Sequence, residues 1–306
     1  MRVNFRIKQG LWLGDNAQFS IVLKHFRHYY PDSFISIQSP WGTEDIYRGL
    51  VDEWQPIRYP WQNKGFDKSV YIHFAHPEYE WDSLPSSKAT QCLEIEMKTH
   101  GFDMPPIPEL FTYNVQSTDE QKNKVGEWLE TLPENKGIVF IHPYGNSSPE
   151  DKNLDLQSWI GFYNKAKELG YLPITLNWAN PEWGIERFFR NVEFRGDNIT
   201  FSDAGQIKEL LNVGALLIGI DSGIEHIATV SDCPTAVVWK NHHPLYCFDL
   251  SENESFKHYL PDYLERAIET PEAREFFNEC YNHEFFATHY HLFTEFEGLL
   301  NDTSPN

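Results

Sequence analysis

Apolar and polar positions along the chain follow two alternating periods. The first stretch, FRIKQGLWLGD, reads as a strand that ends in a Gly-Asp turn. NAQFSIVLKHFRHYY then sets Phe19, Val22, Leu23, Phe26 and Tyr30 at helical spacing. PDS breaks that helix, and FISIQSP reads as the next strand. GTEDIYRGLVDEW is expected as a helix, QPIRYP as a short strand and VYIHFAHP as a better one. KATQCLEIEMKTHGF is helical again and ends in a Gly stop. Strands that alternate with helices imply a mostly parallel sheet with helices on its faces.

The pattern changes near Pro105. MPPIPELFTYNVQSTDEQ is proline-rich, then polar, and reads as a crossing between two units. Beyond it DEQKNKVGEWLETLP is a helix, and KGIVFIHPYG is the apolar run of a buried parallel strand. LQSWIGFYNKAKELG carries Trp159, Phe162, Tyr163 and Ala166 on one face, with Gly170 as its stop. YLPITLNW is a strand, GQIKELLNVG a helix, ALLIGID a strand, SGIEHIATVSD a helix and PTAVVW a strand. From about residue 253 onward the chain reads as helices with no clear strand. The fold class is therefore α/β in two units, residues 1–115 and 116–306, the second ending in helices. The halves repeat an architecture, not a sequence. A length of 306 residues agrees with two domains of roughly 150 each.

Composition narrows the function classes. Apolar residues at 41% and aromatics at 15% supply ample core, which excludes a disordered chain. Lys and Arg number 25 against 45 Asp and Glu, a formal charge of −20. Such a surface repels a nucleic-acid backbone or an anionic membrane, and no run of basic residues offsets it. An anionic small ligand stays compatible, because helix N-termini and a few placed cations hold phosphate locally. No window approaches the ~20 apolar residues of a membrane span. The N-terminal residues have dispersed charge unlike a signal peptide, so a cytoplasmic protein is expected. Cys92, Cys233, Cys247 and Cys280 form no C-x-x-C pair and read as free thiols. His283, His289 and His291 lie among aromatics and read as structural, so no metal site is expected.

Ligands of open parallel sheets bind at the carboxyl ends of strands. Three such loops carry suggestive chemistry. In ALLIGIDSGIEHIATV a buried strand ends at Asp221, and Ser222 and Gly223 open a helix with His226 one turn in. Free N–H groups there could receive a phosphate, or Asp221 or Ser222 could merely cap the helix. In IHPYGNSSPEDKNLDLQSW, Ser147, Ser148 and Lys152 offer two hydroxyls and an ammonium, which suits a pyrophosphate but equally an ordinary solvated loop. In LWLGDNAQFS, Asp15 could be a general base or a helix cap. His242 and His243, after a later strand, are possible diphosphate contacts. No G-x-G-x-x-G follows a strand, which disfavours a nicotinamide oxidoreductase.

DSGIEHIATVSDCPTAVVW resembles the D-T/S-G-x-x-H-x-A…P-T motif of the heptosyltransferase family, bacterial glycosyltransferases that use ADP-heptose. SSPEDKNLDLQSW resembles that family's hydroxyl pair, lysine and tryptophan-bearing helix, and LGDNAQFSIVLKHFRHYYPDSFISI its N-terminal segment. The three occur in the family's order, patchily over residues 1–250. The resemblance implies two Rossmann-like domains facing across a cleft, the GT-B arrangement, with the acceptor on the first and a nucleotide-sugar donor on the second. It implies an inverting, metal-independent glycosyltransferase without a cofactor. Asp15 would deprotonate the acceptor hydroxyl. Ser147, Ser148 and Lys152 would hold the donor's phosphates, Asp221 the donor sugar, and Ser222, Gly223 and His226 would lie against sugar and diphosphate. Asn16-Ala17-Gln18 stand where the family has small apolar residues, and Asn241-His242-His243-Pro244 replaces its T-x-P. The sugar can be heptose-like or another, and the acceptor is open. A non-catalytic nucleotide- or sugar-binding module, or a nucleotide-sugar epimerase, is the alternative on the same fold.

Overall fold

The computed structural model describes residues 1–8, 11–57, 61, 64–74, 87–145, 152–154, 156–178, 198–201, 203–241, 256–260 and 286–302. Two parallel sheets organise them. The first contains β1 (Arg2–Ile7), β2 (Phe34–Ser39), β3 (Glu53–Pro56) and β4 (Lys68–Ile72) in the order β3-β2-β1-β4. The second contains β5 (Ile138–His142), β6 (Leu172–Trp178), β7 (Asn198–Phe201), β8 (Gly214–Ile220), β9 (Thr235–Val238), β10 (Phe256–Leu260) and β11 (Phe286–Thr288). Its order is β11-β10-β9-β8-β5-β6-β7, and every described pairing is parallel. In each sheet the strand order reverses once, between β1 and β4 in the first and between β5 and β8 in the second. Such a reversal opens a crevice at the carboxyl ends of the two central strands.

The helices are α1 (Leu13–Tyr29), α2 (Glu44–Tyr47), α3 (residues 88–99), α4 (Asp119–Leu129), α5 (Leu156–Glu168), α6 (Ala204–Leu211), α7 (Gly223–Ala228) and α8 (His289–Asp302). Thr118 and Gln121 close a capping box at the start of α4, each side chain bonding the other's backbone N–H. Gly49, Gly101 and Gly170 take φ of +77°, +78° and +87°, the left-handed region that glycine enters without penalty. Gly101 and Gly170 are thus the expected helix stops. Gly49 also explains a correction: the helix expected over 42–54 is only the single turn of α2.

Two further expectations are corrected, and one strand is added. The C-terminal region is not purely helical, because β10 and β11 extend the second sheet before α8. These strands are short and aromatic, and FKHYL fits either period when read alone. The edge strand β7 carries no periodic signal at four residues and was not foreseen. Finally, Gly14 and Asp15 do not form a turn before the helix; they lie in the first turn of α1.

One hydrophobic core runs through both halves, from Val3, Phe5 and Phe26 to Phe140, Leu217 and Trp239. A second cluster on the opposite face of the larger sheet takes in Trp159 and Phe162 of α5 with Leu292 and Phe296 of α8. The expected α1 face of Phe19, Val22, Leu23 and Phe26 is buried, and so are Asn16, Gln18, Ser20 and His25 behind it. The polar side is covered as well: Tyr47 of α2, the start of α3 and the crossing segment at Ile107, Tyr113 and Asn114 partner these side chains, while α7 of the second half packs on the first turn of α1.

The halves are also stitched by hydrogen bonds. The buried carboxylate of Asp45 on α2 accepts the Gly205 N–H of α6 at 3.0 Å and Gln121 Nε2 of α4 at 2.7 Å. Asp203, at the α6 N-cap, makes no side-chain cap of its own. A first-half carboxylate therefore satisfies a helix start in the second half. Ala204 N–H donates to the Gly42 carbonyl at 3.0 Å along the same seam.

Candidate functional site

Asp15 is the third residue of α1, just past the carboxyl end of β1. One carboxylate oxygen accepts the Trp12 backbone N–H at 3.0 Å, which is half of a capping box. The other lies 2.8 Å from Lys88 Nζ. Lys88 opens α3 behind Ser87, whose hydroxyl accepts the Thr90 N–H. Sequence reasoning missed Lys88, since 73 residues separate it from Asp15. Burial pushes the Asp15 carboxyl up, but Lys88, the Trp12 N–H and His226 outweigh it and hold the group below its ordinary value. Asp15 is therefore ionised at neutral pH.

The helix starts of the two halves meet in direct contact. A Cβ added at Gly223 would stand 2.5 Å from Leu13 Cβ and 2.8 Å from the Gly14 nitrogen. One added at Gly14 would stand 2.8 Å from the His226 ring. Both glycines are dictated by close approach, and together they bring Asp15 beside the Asp221-Ser222-Gly223 turn. His226 Nδ1 is 2.9 Å from the Tyr113 hydroxyl, which Gln18 Nε2 also reaches at 2.8 Å. Gln18 Oε1 accepts the Ala89 N–H of α3 at 3.1 Å. Asn16 accepts the Tyr47 hydroxyl at 2.6 Å and donates to the Trp12 carbonyl at 2.6 Å. The polar residues after Asp15 thus wire the α1 start to α2, α3 and the crossing segment. Burial lowers His226 to about 4; Asp221 and Asp15 pull it up, Lys88 and Lys152 push it down. His226 is neutral at pH 7 and lies within electrostatic reach of all four charges.

In the second half, Lys152 Nζ lies 3.0 Å from Asp221 at the end of β8. Both are well buried, with side chains 12% and 6% exposed, so Lys152 is not the surface cation its loop suggested. Ser222 occupies the N-cap of α7 without a side-chain cap bond. One helical turn past Asp221, Glu225 meets His142 of β5, Nδ1 to carboxylate, at 2.8 Å and 3.1 Å. A Cβ on Gly219 would overlap the Glu225 carboxylate, so glycine in β8 makes room for it. Burial raises Glu225 above its ordinary value, with His142 opposing and Asp221 adding to the rise. Neither His142 nor Glu225 was singled out in the sequence; an acidic residue inside an apolar helix turn was the available signal.

Of the candidates, the structure brings together Asp15, Lys152, Asp221, Ser222, Gly223 and His226. Ser147, Ser148, His242 and His243 lie outside the described residues. Cys92 and Cys233 are free and buried, while Cys247 and Cys280 fall outside the described residues. Among the described residues no group of three or more His, Cys, Asp or Glu could hold a metal ion. No helix among them is long and apolar enough to cross a membrane.

No protein-family model and no curated protein matches the chain. Solved structures match it in shape. A glycosyl transferase family 9 protein from Veillonella parvula aligns with a TM-score of 0.67 at 12% identity, over 98% of this chain and 97% of that one. The Escherichia coli ADP-heptose lps heptosyltransferase II aligns at 0.65 and 12% identity over 100% of both. The iron-containing dodecameric glycosyltransferase TibC from enterotoxigenic E. coli aligns at 0.54 and 13% identity, over 80% of this chain and 62% of that one. At such identities the likeness is one of fold. The chain has the α/β architecture of two facing parallel sheets seen in these GT-B glycosyltransferases.

Proposed function

We propose that the protein is an inverting glycosyltransferase that moves a sugar from a nucleoside-diphosphate donor to an acceptor hydroxyl without a metal. The observation that carries this reading is the convergence of Asp15 from one half with Lys152, Asp221 and His226 from the other, where two strand-order reversals face each other. Inversion needs a base on one face of the anomeric carbon and the leaving group on the other. Asp15 and Lys152 stand on different halves, which supports this reading.

In this reading residues 1–115 receive the acceptor and residues 116–306 the donor. Asp15 takes the acceptor proton as its oxygen attacks the anomeric carbon, and the bond from that carbon to the diphosphate breaks. Negative charge grows on the departing diphosphate. Lys152, with Ser147 and Ser148, stabilises it more in the transition state than in the ground state. Lys152 leaves or shares Asp221 to do so, which turns the Asp221 carboxylate toward the sugar hydroxyls. Neutral His226 lies against sugar and diphosphate, and His242 and His243 add diphosphate contacts. The donor sugar is heptose-like or another, and the protein works in the cytoplasm. One observation favours the rival binding module: both Asp15 oxygens already have donors, and a depressed carboxyl is a weak base.

Calorimetric titration with ADP and ADP-heptose tests the donor site. A nucleotide at 100 times its dissociation constant should also raise unfolding free energy by ~2.7 kcal/mol. Release of ADP from ADP-heptose in the presence of EDTA tests the chemistry. Binding without turnover would leave the module reading standing, and turnover that needs added Fe²⁺, Mg²⁺ or Mn²⁺ would remove metal independence.

A further inference from the structure

The Asp15–Lys88 contact joins the first turns of two helices that follow adjacent strands, β1 and β4, at the reversal of the first sheet. The cation is more open than the anion, with side chains 35% and 15% exposed. Each Asp15 oxygen has one fixed donor, so the plane of the carboxylate is set from two sides. α3 is itself held in place, since the Ala89 N–H donates to Gln18 one turn beyond Asp15. The lysine is thus delivered to Asp15 by a built network.

We infer that Lys88 is a positioning residue for the transfer reaction, keeping the Asp15 carboxylate ionised and oriented toward the acceptor hydroxyl. The inference rests on the glycosyl-transfer reading. Each oxygen has a second lone pair for the acceptor proton. The acceptor oxygen bonds the anomeric carbon, the bond to the diphosphate oxygen breaks, the proton passes to Asp15, and the nucleoside diphosphate leaves as the anion. Lys88 keeps Asp15 from taking a proton from water first. Among the described residues the groups facing Asp15 are Lys88 on α3, His226 on α7, Tyr47 on α2 and the Trp12 N–H. His226 is neutral above about pH 4 and Tyr47 is pushed well up by burial and by Asp15 itself, so among the described residues Lys88 is the facing cation at working pH.

The test uses Lys88→Met and Lys88→Arg in the full chain. Asp15 is titrated by ¹³C NMR of labelled aspartate, its signal assigned by its loss in Asp15→Asn. In parallel, ADP release from ADP-heptose is followed against pH. We expect the Asp15 midpoint and the acid limb of turnover to move together to higher pH in Lys88→Met. Lys88→Arg should restore both. An unmoved midpoint, or an acid limb that stays in place while the midpoint moves, overturns the inference. Full turnover in Asp15→Asn overturns the underlying base assignment instead; the two failures are separated because the midpoint is read without any substrate.

Discussion

The two halves carry the same device in different settings. Each has a carboxylate paired to a lysine at the reversal of its sheet, Asp15–Lys88 at 2.8 Å and Lys152–Asp221 at 3.0 Å. Beneath the first lies a neutral network of Gln18, Tyr113 and His226. Beneath the second lies another buried ionisable pair, His142–Glu225. The first lysine is a third exposed, while the second is nearly buried. An exposed pair exchanges partners cheaply, whereas a buried one leaves an uncompensated charge when it opens. The first pair is thus suited to tuning a carboxylate and the second to being opened only by a ligand that brings its own charge.

The sharpest way to break that comparison is to neutralise each carboxylate. Asp15→Asn should lower turnover by about 10²–10⁴-fold with nucleotide affinity near wild type. Asp221→Asn should act chiefly on nucleotide-sugar affinity, read by calorimetry. Equal effects of the two on turnover alone would erase the division of labour. The next largest effect concerns the histidine between the pairs. Unfolded, His226 takes a proton near 6.5; folded, it resists until about 4. Between those values the unfolded chain binds the extra proton, so the stabilisation is complete above the upper value and is lost as pH falls toward the lower one. The loss should be on the order of 3 kcal/mol, and urea unfolding of His226→Gln should show a flatter dependence over that window.

The lysines give the smaller effects. Lys152→Met should cost about 2–3 kcal/mol in urea unfolding, because Asp221 stays buried without its cation. Lys88→Met, at a more exposed pair, should cost at most about 1 kcal/mol. Similar losses for both would show that the two settings do not differ in energy.

Much of the fold was legible along the chain because its central strands are long and apolar. IVFIH and GALLIGI read as buried strands and are buried strands, and α1, α4, α5 and α6 stand where periodicity placed them, within a few residues. Short elements escaped: β7, β10 and β11 sit toward or at the edges of the second sheet, where three to five residues carry too little period to be told from a helix. α2 stopped at one turn because Gly49 turns the chain, a position the surrounding apolar spacing concealed.

By itself the sequence determined the α/β alternation and the places of Asp15 and Asp221 just past the carboxyl ends of β1 and β8, because hydrophobic period and turn chemistry are local properties. Only the tertiary structure decided the partners. Lys88 reaches Asp15, Glu225 reaches His142, Asp45 caps a helix of the other half, and Gly14 and Gly223 let two helix starts touch. Each of these joins residues that are far apart in the chain. Their charges and steric needs are set by what burial brings next to them, and no local spacing encodes that.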